Sequence, residues 1–279
     1  TRVTLAPLGS VALKGRAEAV AAHRLVSLEP PAGAAAAPFV GREAELARLE
    51  RVRAAALDGP ATRLAVLVGS PGLGKSRLID EVARRHADEA TILAAHCDAA
   101  GGATFAPLAQ ALRRFLGLAD AATGEAVRTA VAAVLGGGDD DGERARIARG
   151  IDGLIAGSAM SPEETFFVVR RFLAGLAAAQ PVVLVIDDLH WGEPLLLDLV
   201  EHLVQWGSGV PLFVLVGARP ELRELRSSLV TTGGVVADAV VLGGLDAGAA
   251  MRLAAGVIGA ADLPAAVAAK VLATSEGNP

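Results

Sequence analysis

Cysteine is almost missing: Cys97 is the only one in 279 residues. That excludes an internal disulfide and a cysteine-rich metal cluster, and it suits a reducing cytoplasm. Aromatic residues are scarce at 3%. Alanine and glycine carry much of the 52% apolar share, so the core is finely divided, yet that share argues against a disordered chain. No uncharged apolar run has the length of a membrane span, and no basic segment followed by an apolar one marks a secretory leader. Net charge is −5. Nonspecific binding to nucleic-acid phosphates takes clustered cations, so direct nucleic-acid contact is not expected. Lysine is rare: Lys14, Lys75 and Lys270 stand among 26 lysines and arginines. Where arginine is otherwise preferred, Lys75 marks a place for a compact ammonium rather than a planar fork. A first residue Thr1 points to a piece of a longer protein, and the length fits one large domain or two smaller ones.

What the chain does have is alternation. Residues 1–29 read as short strands, with turns at Gly9-Ser10 and at Lys14-Gly15-Arg16. Residues 30–38, "PPAGAAAAP", read as a linker. From Gly41 onward, helical and strand patterns take turns. "RLAVLVG", "TILAAHCD", "PVVLVIDDL", "PLFVLVGARP" and "AVVLGGLD" read as strands, with helices between them and after them. Ser161-Pro162-Glu163-Glu164 opens one helix: Ser161 caps it, Pro162 suits its first turn, and Glu164 can reach back to the cap. Runs such as "VVLVI" and "LFVLV" are apolar without alternation. Both faces of such strands are buried, as in a parallel sheet covered by helices, so the expected fold is a three-layer α/β domain. Ligands of such sheets bind beyond the carboxyl ends of the strands.

Three of those ends carry chemistry. The first is Gly69-Ser70-Pro71-Gly72-Leu73-Gly74-Lys75-Ser76, which fits G-x-x-x-x-G-K-[ST] between a strand and a helix. Its glycines let backbone N–H groups turn inward on an anion, and the helix that follows adds its positive end. Lys75 would reach the β- and γ-phosphates, and the Ser76 hydroxyl would ligate Mg²⁺. The second end is Asp187-Asp188. Asp187 can hold the metal, and Asp188 can orient or deprotonate an attacking water. Asp188 is one methylene shorter than a glutamate, which predicts slow hydrolysis. The third end is Arg219, a cation placed to sense a γ-phosphate. His190 and Trp191 beside the acids read as packing groups. His86, His96 and His202 lack ligand-like spacing, so no metal site of protein ligands alone is assigned.

These residues resemble the STAND branch of the AAA+ P-loop ATPases, signalling ATPases with many domains. The resemblance runs from Pro38 to Pro279. "FVGREAEL" at Phe39–Leu46 resembles the family's opening motif, where Val40 and Gly41 would lie against adenine. The loop Gly69–Ser76, with Arg77 after it, and "VIDDLHW" match the family's two nucleotide motifs. "EGNP" resembles its G-x-P element, where Pro279 would approach the base or sugar. The resemblance implies a P-loop core over residues 39–245, a helical lid beginning at 246–279, ATP or ADP with Mg²⁺, and a cytoplasmic regulatory switch. Its partners would be other domains of the same chain, with nucleotide-dependent self-association left open. Residues 1–29 resemble the last strands of a class III adenylate/guanylate cyclase, with Leu13-Lys14-Gly15 at its closing turn. Two alternatives follow: a regulatory appendage of a cyclase, or an origin-recognition-like ATPase that remodels DNA.

Overall fold

Short apolar runs bounded by glycine and proline become one five-stranded sheet, its strands all parallel. The computed structural model describes residues 2–11, 20–29, 38–136, 141–230, 237–260, 263–275 and 277–279. The sheet strands are β3 (Arg63–Val68), β4 (Thr91–His96), β5 (Val182–Asp187), β6 (Leu212–Ala218) and β7 (Ala237–Val241), in the spatial order β4-β5-β6-β3-β7. β5 and β6 are buried along their whole length, as their unbroken apolar runs require. β4 lies at the edge and buries alternate residues. Helices cover both faces, each over its own apolar layer. α1 (Glu43–Asp58) and α2 (Lys75–Arg85) bury Leu46, Leu49, Leu78 and Val82 on one side. α3 (Ala106–Phe115), α4 (Glu125–Leu135), α5 (Asp141–Ala156), α6 (Pro162–Ala177) and α7 (Pro194–Gln205) fill the other, around Phe172. The expected three-layer P-loop architecture is the observed one.

Local differences have local causes. Ser161 does cap α6, accepting from the Glu164 N–H at 3.2 Å. The Glu164 carboxylate does not return to the cap; it pairs with the Arg146 guanidinium, a stronger partner than a backbone amide. One turn of helix, α8 (Leu222–Leu225), follows β6 and is not legible in "ELREL". β1 (Arg2–Val11) and β2 (Val20–Glu29) form an antiparallel pair of their own. The turn expected at Gly9-Ser10 is absent, because β1 continues through it with a register shift between Pro7 and Gly9. Proline cannot donate to the ladder and Gly9 takes φ +87°, so the strand bulges there rather than reversing. The Lys14 turn and residues 30–37 of the expected linker lie outside the described residues.

The lid follows β7. Asp246 caps α9 (Ala247–Ile258) by accepting from the Ala249 N–H at 2.7 Å, and α10 (Ala265–Ser275) comes next. No described helix is long and apolar enough to cross a membrane.

Candidate functional site

β3 stops at Val68, and α2 starts at Lys75. Between them the loop turns at Gly72 (φ +82°) and Gly74 (φ +85°), left-handed values that side chains avoid. Lys75 is buried, and its ammonium donates to the carbonyls of Gly69 (2.9 Å) and Ser70 (3.2 Å). No carboxylate pairs with it among the described residues. A buried cation held by carbonyls alone is electrostatically incomplete, and an anion cradled by the same loop would complete it.

The sheet order places β6 between β3 and β5. Asp187 at the end of β5 therefore has to cross β6 to approach α2, and Gly217 makes the crossing available. A Cβ on Gly217 would sit 2.1 Å from Asp187 Oδ1 and 2.8 Å from the Ile79 terminal methyl of α2. The buried Asp187 carboxylate thus rests on bare backbone, beside the helix that Lys75 and Ser76 begin. Its Oδ1 accepts the Asp188 N–H at 2.9 Å. Those oxygens and the exposed Ser76 hydroxyl are hard donors of the kind a divalent magnesium ion takes.

Asp188 has φ +54°, the only positive value for a non-glycine among the described residues. Aspartate tolerates this conformation better than most residues, and backbone strain of this kind gathers at functional sites. It opens a three-residue turn of 3₁₀ helix, Leu189–Trp191. His190 Nδ1 lies 3.8 Å from Asp188 Oδ1, and the His190 side chain is only 5% exposed. Neither of its ring nitrogens has a hydrogen-bond partner among the described residues. Burial lowers the His190 pKa against the pull of Asp188, and the charges of Arg219 and Lys75 lower it further. Trp191 is half-exposed, and the Arg219 guanidinium lies over its ring, 5.3 Å from the centroid. Neither residue is the plain packing group expected: Trp191 carries Arg219, and His190 keeps two unsatisfied polar atoms. The two aspartates also reach Cys97. Its thiol is pushed up to about 12, by burial first and then by Asp188 and Asp187.

Beside the loop lies a mostly apolar cavity of about 250 Å³, lined by Val40, Arg42, Leu73, Arg77, Leu253 and Pro279 among others. Val40, Arg77 and Pro279 therefore meet at one place, with Gly72, Leu73 and Gly74 as its floor. Gly41 faces α9 instead: a Cβ there would sit 2.3 Å from that of Ala249. Pro279 lies over Gly74, and the Asn278 carboxamide lies over Gly72.

Three residues of the site escape sequence reasoning. Gly217 is visible there as a glycine inside an apolar strand, a sign of close approach. Arg42 stands in the opening motif, and only its burial and bonding reveal what it does. Its Nη2 donates to Leu73 O at 3.0 Å and to Gly243 O at 2.8 Å. Nothing in the spacing points to Asn278.

The sequence matches the AAA ATPase domain family over residues 38–216, more than half of the chain. No curated protein matches it. Among solved structures it is similar to Cdc6p from Pyrobaculum aerophilum, at 15% identity and a TM-score of 0.50, over 82% of this chain and 53% of that one. It is also similar to the Orc1 protein of Aeropyrum pernix, solved in complex with DNA, at 18% identity and a TM-score of 0.50, over 86% and 56%. A signal-transduction ATPase with numerous domains and a tetratricopeptide repeat sensor, from Pyrococcus horikoshii, matches at 18% identity and a TM-score of 0.49, over 86% and 28%. The chain spans little more than half the length of the first two and about a quarter of the third. At these identities the likeness is one of fold. The family match is of another kind, because it runs through the strands that carry the loop and the paired aspartates, and by it this chain belongs to the AAA ATPase domain family.

Proposed function

We propose that residues 39–245 bind ATP or ADP with Mg²⁺ and hydrolyse ATP slowly, as the switch of a multidomain signalling protein. The observation that carries this reading is the buried ammonium of Lys75, which has only carbonyl partners at the sheet edge that also holds Asp187. In this reading the amides of Gly69–Ser76 and the Lys75 ammonium hold the β- and γ-phosphates. Ser76 and Asp187 hold the magnesium ion, which neutralises phosphate charge. Asp188 orients the attacking water, and Arg219 senses the terminal phosphate. Val40, Arg77 and Pro279 enclose the base and sugar, while Gly41 lets the opening segment approach α9. The preference for adenine rests on the STAND resemblance of "FVGREAEL" and "GNP".

The lid gives the switch its output. Residues 246–279 touch the phosphate loop through Asn278 and Pro279, so a change at the phosphates has a direct route into the lid and to partner domains. The antiparallel pair β1–β2 supports reading residues 1–29 as the last strands of a cyclase-like domain.

Calorimetry with ATP, ADP and GTP, with and without Mg²⁺, tests the reading on wild type and Lys75→Ala. Charge-assisted hydrogen bonds are worth about 1.5–3 kcal/mol, so the variant should bind ATP about 10- to 100-fold more weakly. Equal binding by the variant refutes the role of Lys75 and, with it, the site.

A further inference from the structure

His190 is a buried imidazole. Its side chain is 95% covered, and both ring nitrogens lack a hydrogen-bond partner among the described residues. Leaving a buried polar atom unsatisfied costs about 1–3 kcal/mol, and natural proteins rarely accept that cost twice in one ring. The ring packs against Trp191, with centroids 5.0 Å apart and planes tilted by 41°, and Trp191 in turn lies under Arg219. Asp188 Oδ1 stands 3.8 Å from Nδ1, beyond hydrogen-bond distance but within ion-pair range. The left-handed backbone at Asp188 sets both side chains on one short turn.

We propose that Asp188 and His190 act as a pair, in which His190 donates Nδ1–H to Asp188 and offers Nε2 to the water that attacks the terminal phosphoryl group. The inference rests on the ATP reading of the site. A neutral imidazole has one donor and one acceptor, and burial with Arg219 and Lys75 nearby favours the neutral form. A carboxylate only accepts, so the proton belongs on Nδ1 and the lone pair on Nε2. The pairing also answers the shortness of Asp188, because the imidazole adds the reach that a missing methylene takes away. In the reaction the water oxygen bonds to the γ-phosphorus. The bond from that phosphorus to the bridging oxygen breaks, and its electron pair stays on ADP. The proton lost by water goes to Nε2, the imidazolium is stabilised by Asp188, and the proton then leaves to solvent.

Two measurements test the pair. In nitrogen NMR of ¹⁵N-histidine protein with Mg²⁺ and a non-hydrolysable ATP analogue, the signal that disappears in His190→Gln should show Nδ1 protonated and Nε2 bare. Asp188→Asn should change that state, and asparagine keeps the left-handed backbone in reach. In single-turnover hydrolysis, His190→Ala and the volume-keeping His190→Gln should both slow the step about 100-fold or more, with ATP and ADP affinities within twofold of wild type. Combining either with Asp188→Asn should add little. A proton found on Nε2, indifference to Asp188→Asn, an unchanged rate, or affinities that fall together with the rate each overturn the pair. A wild-type protein that binds neither nucleotide overturns the reading of the site itself, which calorimetry separates from the other outcomes.

Discussion

Gly217→Ala tests how Asp187 crosses the sheet. The added Cβ would lie 2.1 Å from Asp187 Oδ1, about 0.9 Å inside the 3.0 Å that real Cβ contacts keep. It would also lie 2.8 Å from the Ile79 methyl. β6 cannot retreat, since Val216 is paired with Val66 on one side and Ile186 on the other. The carboxylate must therefore rotate away, off its rotamer or off the face of β6. Overpacking a filled site costs about 1–3 kcal/mol. Chemical denaturation should show a loss in that range. The more telling effect is on magnesium. Displacing Asp187 should remove most of the gain that Mg²⁺ gives to ATP binding, while metal-free binding through Lys75 stays within about threefold. Calorimetry with and without Mg²⁺ reads both. A variant as stable as wild type, with the same Mg²⁺ dependence, would show that Asp187 neither rests on Gly217 nor serves the metal.

Other consequences are simpler to state. Arg84, then Arg85, hold the Glu81 carboxyl down at about 2. A depressed carboxylate stabilises the fold above its unfolded pKa near 4.5 and loses that contribution as pH falls toward 2. Glu81→Gln should therefore flatten the stability profile across that window, by less than about 1 kcal/mol because both arginines are well exposed. Cys97 is buried and its thiol is raised to about 12. Iodoacetamide at about pH 8 should leave the native protein unmodified and label it fully in denaturant; rapid native labelling would contradict that burial.

The parts of the fold that are legible in the sequence are those fixed by local chemistry. β5 and β6 can be read because strands buried on both faces need unbroken apolar runs. The loop at Gly69–Ser76 can be read because only glycine turns the backbone that way. Spatial order is not legible. Nothing in "PLFVLVGARP" says that β6 lies between the strands of the two nucleotide motifs, since that order is set by which helices fill which face. Gly217, Arg42 and His190 owe their importance to that order, and in the sequence each stands in view without its neighbours. Glu164 shows the opposite failure. The cap beside it is real, but a distant guanidinium brought up by the α5–α6 packing takes its carboxylate instead. Gly9 is a third kind, because a glycine beside a proline signals a turn and a bulge equally well.

Arg42 joins the loop and the segment between β7 and α9 in one side chain. It is 5% exposed, bonds Glu45 through Nη1 at 3.0 Å, and directs Nη2 at two carbonyls 170 residues apart, Leu73 in the Gly69–Ser76 loop and Gly243 ahead of α9, where the proposed lid begins. If a nucleotide reshapes the loop, the Leu73 carbonyl moves and the hold on Gly243 changes with it. The lid needs no separate sensor in that case, because the guanidinium fork links the two carbonyls directly. Arg42→Ala should cost about 1.5–3 kcal/mol in stability, the worth of hydrogen bonds to a charged group. Arg42→Lys should restore little, since an ammonium cannot reproduce the planar fork. Limited proteolysis gives the test that stability alone does not. In wild type, ATP should slow cleavage around Gly243–Asp246; in Arg42→Ala that protection should vanish even at saturating ATP. Protection that survives the substitution would mean that the lid learns of the nucleotide by Asn278 and Pro279 alone.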